Sequence, residues 1–221
     1  TLYGIHVTAD NKEAVEKAET IILSVKPQFY ESVIAEIKDV VKPEQIVITI
    51  APGKTLEWLA KQFGKDVKLV RTMPNTPAMI GEGMTGVSVK QGELSGEEMD
   101  EIKKLFDACG KTEFIEERLM DAVVCTSGSS PAFVYQFIEA LADSAVRYGM
   151  PRKQAYVFAA QAVKGAAAMV LETGEHPAVL KDQVCSPAGT TIEGVAALEE
   201  YGLRNAVLKA SEAVYNRCTK I

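Results

Sequence analysis

Hydrophobic positions in the first half of the chain fall into short unbroken runs separated by amphipathic stretches. Residues 20–25 (Thr-Ile-Ile-Leu-Ser-Val), 46–50 (Ile-Val-Ile-Thr-Ile) and 67–72 (Val-Lys-Leu-Val-Arg-Thr) are largely β-branched or apolar, the pattern of strands buried on both faces. Before and between them, an acidic stretch over 11–18 capped by Asp10, and residues 28–37 and 55–63, read as helices. Residues 4–8 read as a further short strand, 95–108 as a helix opened by Ser95 and ended by Gly110, and 112–115 as a last strand. Short apolar strands alternating with helices predict a doubly wound parallel sheet over residues 1–117. Ligands of such sheets sit beyond the C-terminal strand ends. Here those ends are Ser24-Val25-Lys26-Pro27, Ile50-Ala51-Pro52-Gly53 and Met73-Pro74-Asn75-Thr76-Pro77.

From residue 118 the strand pattern disappears. Helical spacing predicts helices over 118–125, 131–148, 151–172, 177–185, 191–201 and 203–219. Ser130-Pro131 reads as an N-cap followed by proline at the first helical position. Residues 155–171 are apolar on most sides, so neighbouring helices or a second subunit must enclose them. The expected fold is therefore α/β plus all-α, a sheet domain over 1–117 followed by a helical domain over 118–221. The helical domain is expected to dimerise; a packed monomeric bundle is the alternative.

Composition narrows the function classes. A formal net charge of −6 argues against nucleic acid or an anionic membrane as partner. No apolar run is long enough to span a bilayer and no charged-then-apolar leader opens the sequence, so the cytoplasm is the expected location. Cys109, Cys125, Cys185 and Cys218 form no C-x-x-C pair, and His6 and His176 are the only histidines. A metal site and Ser-His or Cys-His catalysis are thus short of parts. Any chemistry falls to a cofactor, backbone groups or hydroxyls.

Three motifs resolve to structure. Gly81-Glu82-Gly83-Met84-Thr85-Gly86 spells G-x-G-x-x-G, but a proline-rich loop precedes it and a strand-like run follows, the reverse of a dinucleotide fingerprint. Gly53-Lys54-Thr55 lacks the glycine at position 48 that a phosphate loop needs, Ile48 standing there. Ser127-Gly128-Ser129-Ser130 lacks the second glycine of a nucleophile elbow and reads as a loop leading into a helix. The more specific stretch is Ser186-Pro187-Ala188-Gly189-Thr190-Thr191-Ile192-Glu193, a tight loop running into a helix. Thr190 fits the N-cap and Glu193 the third helical position of a capping box. The free N–H groups and dipole of such a helix suit a small carboxylate, with the Thr191 hydroxyl beside it.

Taken together, Ser24-Val25-Lys26-Pro27, Met73-Pro74-Asn75-Thr76-Pro77, Ser127-Gly128-Ser129-Ser130-Pro131-Ala132, His176-Pro177 through Leu180-Lys181-Asp182, and Ser186-Pro187-Ala188-Gly189-Thr190-Thr191-Ile192 resemble the pyrroline-5-carboxylate reductases in order and spacing. The resemblance spans essentially residues 1–220. It implies a Rossmann-like cofactor domain and a helical substrate-binding and dimerisation domain. Asn11, Ser24, Val25, Lys26, Pro27, Ile50, Ala51 and Pro52 are then expected to line NADPH or NADH, with Asn75, Thr76 and Pro77 near the nicotinamide. Glu175, Ser186, Gly189, Thr190 and Thr191 are expected to bind 1-pyrroline-5-carboxylate, Thr191 being the catalytic candidate, with L-proline as product. A homodimer or a higher homo-oligomer is implied. Family members open with a strand, a G-x-G-x-x-G loop and its helix, roughly forty to forty-five residues that this sequence does not show. A damaged nucleotide site is therefore expected, and the choice between NADPH and NADH is not readable. The alternatives are a dimeric scaffold unable to bind nucleotide, an imine reductase for another ring, or a related hydroxyacid-type dehydrogenase, for which Lys164 would be the candidate lysine.

Overall fold

The structure, a computed structural model, describes residues 3–218. Asp10 opens helix α1 (Asn11–Glu16), its carboxylate accepting from the N–H groups of Lys12 and Glu13, a satisfied N-terminus. Strand β1 (Thr20–Leu23), a 3₁₀ turn begun by Pro27, and α2 (Tyr30–Ile37) follow. Then come β2 (Ile46–Thr49), α3 (Leu56–Phe63) and β3 (Lys68–Met73). β4 (Gly83–Val89), α4 (Gly96–Asp107) and β5 (Gly110–Phe114) complete a five-stranded sheet in the order β1-β2-β3-β4-β5.

Alternation along the strands divides two cores. Val47 and Leu69 join Ile34, Ile37, Leu59 and Phe63 on one face. Ile46, Ile48, Val70 and Val87 join Ile102 and Phe106 of α4 on the other. Helices thus cover both faces, as the continuous apolar runs require.

The sheet departs from the expected one in two places. β1, β2 and β3 pair in parallel, and so do β4 and β5, but β4 runs antiparallel to β3. Only residues 74–82 join β3 to β4, fewer than the dozen or more that a parallel crossover needs. Residues 4–8 form no strand. Ile5 and Val7 there are exposed, and β1 pairs with β2 alone among the described strands, so nothing stands beside them to complete a ladder.

Residues 117–128 also differ from expectation. A 3₁₀ turn (Glu117–Leu119), α5 (Met120–Val123) and a π-helical turn (Val124–Gly128) replace the expected helix and loop. Ser129 N–H donates five residues back to Val124 O. Pro131, which has no N–H, disfavours ordinary i→i−4 bonding at this point. The chain here packs on the sheet. A Cβ on Gly86 would stand 3.1 Å from Val123 Cγ1, and buried Arg71 bonds Glu117 at 3.1 Å and lies 3.6 Å from Asp121.

Two compact units result. One holds residues up to Ser129 with the last helical turn from Val214; the other is Ser130–Ala213. The packing boundary thus falls after residue 129, where the change of periodicity at 117 had suggested an earlier one, because residues 117–128 are helical yet belong to the sheet unit.

The second unit contains α6 (Ser130–Arg147), α7 (Arg152–Thr173), α8 (Pro177–Val184), α9 (Thr190–Glu200) and the larger part of α10 (Leu203–Cys218). α6 begins at Ser130, so Ser130 is helical where an N-cap was expected. The unit's buried cluster is small: Ala142, Ala155 and Ala159, with Ile138, Ala145, Val146 and Met150 around it. Meanwhile Val157, Phe158 and Leu171 of α7 are more than 60% exposed. One chain therefore does not enclose α7. Among the described residues no helix is long and apolar enough to cross a membrane.

Candidate functional site

Candidate residues gather in two places, one in each unit. In the first unit, parallel β1, β2 and β3 end on one edge of the sheet. This edge carries Ser24 to Pro27, Ile50 to Pro52, and Asn75 to Pro77 side by side. Ser24, Val25 and Lys26 are exposed, Ala51 is buried, and Ile50, Pro52, Asn75 and Pro77 are intermediate. Asn11 stands apart at the start of α1, where its Nδ2 donates to Glu36 Oε2 at 3.0 Å.

The strand ends are bound together by a chain of hydroxyls that sequence reasoning missed. Thr72 Oγ1 donates to Thr49 O at 2.9 Å, Thr49 Oγ1 to Tyr30 Oη at 2.9 Å, and Tyr30 Oη to Leu23 O at 2.6 Å. Tyr30 is fully buried. Burial raises its phenol pKa above the ordinary value, partly offset by the Thr49 hydroxyl and nearby backbone, so the phenol stays protonated and can serve as donor. A tyrosine opening a helix three residues after Lys26-Pro27 was the available signal.

Beside this edge, Asn75 Oδ1 accepts from Met84 N–H at 2.9 Å and its Nδ2 donates to Ser127 O at 3.0 Å. A Cβ on Gly128 would stand 3.2 Å from Met73 Cε. The π-helical turn is thus seated on the end of β3. Thr76 is exposed beyond Asn75. The G-x-G-x-x-G look-alike lies outside this edge: Gly83 and Gly86 are inside β4, and a Cβ on Gly83 would stand 2.8 Å from Cys109 O. Gly83 admits close packing beside Cys109, and Gly86 admits the side chain of Val123 in α5.

In the second unit, Ser186 to Gly189 make a tight turn closed by Gly189 N–H on Ser186 O at 3.0 Å. Pro187 precedes Ala188, a non-glycine residue at φ +55°. That is the type II arrangement, with an alanine in the left-handed region usually given to glycine. The N-cap of α9 is Gly189, and no side chain caps it. The expected capping box from Thr190 to Glu193 is therefore absent: Thr190 and Thr191 are the first two helical residues. Leaving them uncapped keeps their N–H groups at the positive end of the helix dipole. Among the described residues the hydroxyls of Ser186, Thr190 and Thr191 carry no hydrogen bond, and these side chains are exposed. Glu175 lies in the turn between α7 and α8, its N–H donating to Thr173 Oγ1 at 3.2 Å. Its exposed carboxylate has no partner among the described residues. His176 is used structurally: it caps α8, its Nδ1 accepting from Ala178 N–H at 3.1 Å.

The two places differ in chemistry. The sheet edge offers backbone, the Ser24 hydroxyl and the Lys26 ammonium, donors that fit the ribose and amide of a nicotinamide dinucleotide. Among the described residues no glycine-rich turn joins a strand to a helix to take its pyrophosphate. The α9 terminus offers N–H groups and hydroxyls suited to a small carboxylate.

Residues 117–221 match the family profile described as pyrroline-5-carboxylate reductase dimerisation. Residues 1–53 match the one described as NADP oxidoreductase, coenzyme F420-dependent. The chain is 47% identical to the pyrroline-5-carboxylate reductase of Escherichia coli, over 99% of this chain and 81% of that protein. Among solved structures it superposes on a pyrroline-5-carboxylate reductase from Coxiella burnetii with a TM-score of 0.91 at 32% identity, covering 98% of this chain and 81% of the other. The Plasmodium falciparum pyrroline carboxylate reductase, solved with NADP bound, gives a TM-score of 0.87 at 31% identity, covering 96% and 80%.

Proposed function

Since the chain belongs to the pyrroline-5-carboxylate reductase family, we propose that it reduces 1-pyrroline-5-carboxylate to L-proline with NADPH or NADH, as a cytoplasmic homodimer or a higher homo-oligomer. The observation that carries the substrate end is the uncapped α9 terminus, with two free threonine hydroxyls behind a strained Pro-Ala turn. The substrate carboxylate lies on the N–H groups of Thr190 and Thr191, favoured by the helix dipole. Gly189 keeps the approach open, and Ser186 and Glu175 edge the pocket.

NAD(P)H, when bound, supplies the hydride for the imine carbon. A cyclic imine protonates readily, so its carbon is electrophilic without a histidine acid. The protein's task is then orientation. The Thr191 hydroxyl accepts a hydrogen bond from the protonated ring nitrogen and donates one to the amine that replaces it, since a hydroxyl can do both. Ser24 to Pro27, Ile50 to Pro52, Thr76 and Pro77 hold the nicotinamide half of the cofactor, and Asn11 stands further along the same domain. The exposed apolar face of α7 packs against a second copy, a burial the small cluster of the single chain does not supply. The test is Thr191→Ala in the full-length enzyme: turnover should fall at least about tenfold, roughly 1.4 kcal/mol of transition-state stabilisation. Unchanged turnover removes Thr191 from the mechanism.

A further inference from the structure

Asn75 has both ends of its amide engaged within the protein. Met84 N–H can only donate and the Ser127 carbonyl can only accept, so the two bonds fix the amide orientation: Oδ1 toward Met84 at 2.9 Å, Nδ2 toward Ser127 at 3.0 Å. Each bond stands where the main chain fails to provide one. β3 and β4 pair through Met73 and Gly86, and continuing that register would set Asn75 opposite Met84. The ladder ends first, and the side-chain carbonyl takes the Met84 N–H. Ser127 O, in an ordinary helix, would accept from the N–H four residues on. That residue is Pro131, which has none.

We propose that Asn75 is a positioning residue, acting on the cofactor through the loop and the turn it joins. Its Oδ1 anchors the Thr76-Pro77 loop to β4. Its Nδ2 stands in for the N–H that Pro131 lacks, holding the Val124–Gly128 turn on the end of β3, where Gly128 meets Met73. Contact with the nicotinamide then falls to exposed Thr76 and to the backbone. This rests on the reading that NAD(P)H lies over the strand ends.

The distinctive consequence is coupling between Asn75 and Pro131, residues 56 apart in sequence. Pro131→Ala gives Ser127 O a main-chain donor and so makes Nδ2 partly dispensable. The experiment is a double-mutant cycle in the full-length enzyme: Asn75→Ala, Pro131→Ala and both together. NADPH affinity is read by fluorescence titration without substrate, and KM for pyrroline carboxylate is read separately. Asn75→Ala should weaken NADPH at least tenfold while moving the substrate KM less than threefold, and adding Pro131→Ala should recover at least threefold of the loss. If Asn75 touches the dinucleotide directly, the double variant binds no better than Asn75→Ala, and the proposal is overturned. It is equally overturned if Asn75→Ala binds NADPH as the parent does. Should Asn75→Ala fail to fold, Asn75→Asp takes its place: it keeps the acceptor for Met84, loses the donor, and must show the same recovery. Because NADPH binding is read without substrate, an enzyme that binds NADPH but ignores pyrroline carboxylate would refute the proposed reaction and leave the coupling to be judged on its own.

Discussion

Gly189→Ala is a single-methyl change aimed at the proposed carboxylate site. Gly189 has φ −81° and ψ 167°, a conformation alanine adopts freely, so backbone strain is not at issue. Space is. A Cβ there would collide with Ser186 Oγ and stand 3.0 Å from Ser186 O, where ordinary contact begins at 3.4 Å. The hydroxyl can rotate aside. The carbonyl cannot easily do so, because it accepts the Gly189 N–H that closes the turn. The turn must open, shifting the N–H groups of Thr190 and Thr191. Overpacking of this kind costs about 1–3 kcal/mol of stability; displacement of the two N–H groups that costs as much in substrate binding lowers kcat/KM roughly 5- to 150-fold at 1.4 kcal/mol per decade. Carboxylate binding is made in ground and transition states alike, so most of the loss should appear as a raised KM. Steady-state kinetics in pyrroline carboxylate at saturating NADPH, with a thermal melt to show the fold intact, measures both. Ser186→Ala removes the hydroxyl collision but leaves the carbonyl one, so the double variant should stay impaired. KM and kcat both within twofold of the parent for Gly189→Ala would refute the assignment of this terminus to the carboxylate.

Two further outcomes concern the sheet edge. Tyr30→Phe leaves Thr49 Oγ1 without its acceptor and Leu23 O without its donor, so urea denaturation should show a loss of about 1–3 kcal/mol. The Tyr30 pKa is raised in the fold, so this contribution is full below the unfolded value near 10 and is lost as pH rises through the folded one; Tyr30→Phe should flatten the alkaline fall in stability, and an unaltered fall speaks against it. Arg71→Met removes a cation only 4% exposed from Glu117 and Asp121; a loss of about 2–3 kcal/mol is expected, below the full cost of breaking a buried pair because both carboxylates are partly exposed. Part of that loss should return when Glu117→Gln is added, and strict additivity would show that the pair is not coupled.

Much of the fold was legible because strands buried on both faces leave an unmistakable apolar run. Residues 20–23, 46–49 and 68–73 announce themselves this way, and the helices of the second half announce their period. The direction of β4 was legible only by counting the residues from 74 to 82 and asking what connection they permit. The start of α9 was missed by one residue. Thr190 and Glu193 satisfy the capping-box spacing, but the Pro187-Ala188 turn fixes where the chain becomes helical, and that is a matter of backbone geometry. The helix expected over 118–125 stops short of the observed one, which runs on to Gly128 where a loop was expected, because a π-helical turn has no composition of its own. Tyr30 and Asn75 were read as a helix residue and a ligand. Their hydrogen-bonding roles depend on partners 19 and 52 residues away, a pairing no local pattern encodes. The loops at the strand ends were recognisable because prolines stiffen them; what each side chain bonds there was not.

The central claim is that the protein reduces 1-pyrroline-5-carboxylate with NADPH or NADH and holds the substrate carboxylate at the uncapped α9 terminus. It is tested most directly by supplying the full-length protein with 1-pyrroline-5-carboxylate and following NADPH or NADH oxidation alongside L-proline formation. The account predicts one proline for each cofactor oxidised, dependent on the substrate carboxylate, with hydroxyacids inert. Cofactor oxidation that yields no proline, or binding of both reactants without turnover, would contradict it.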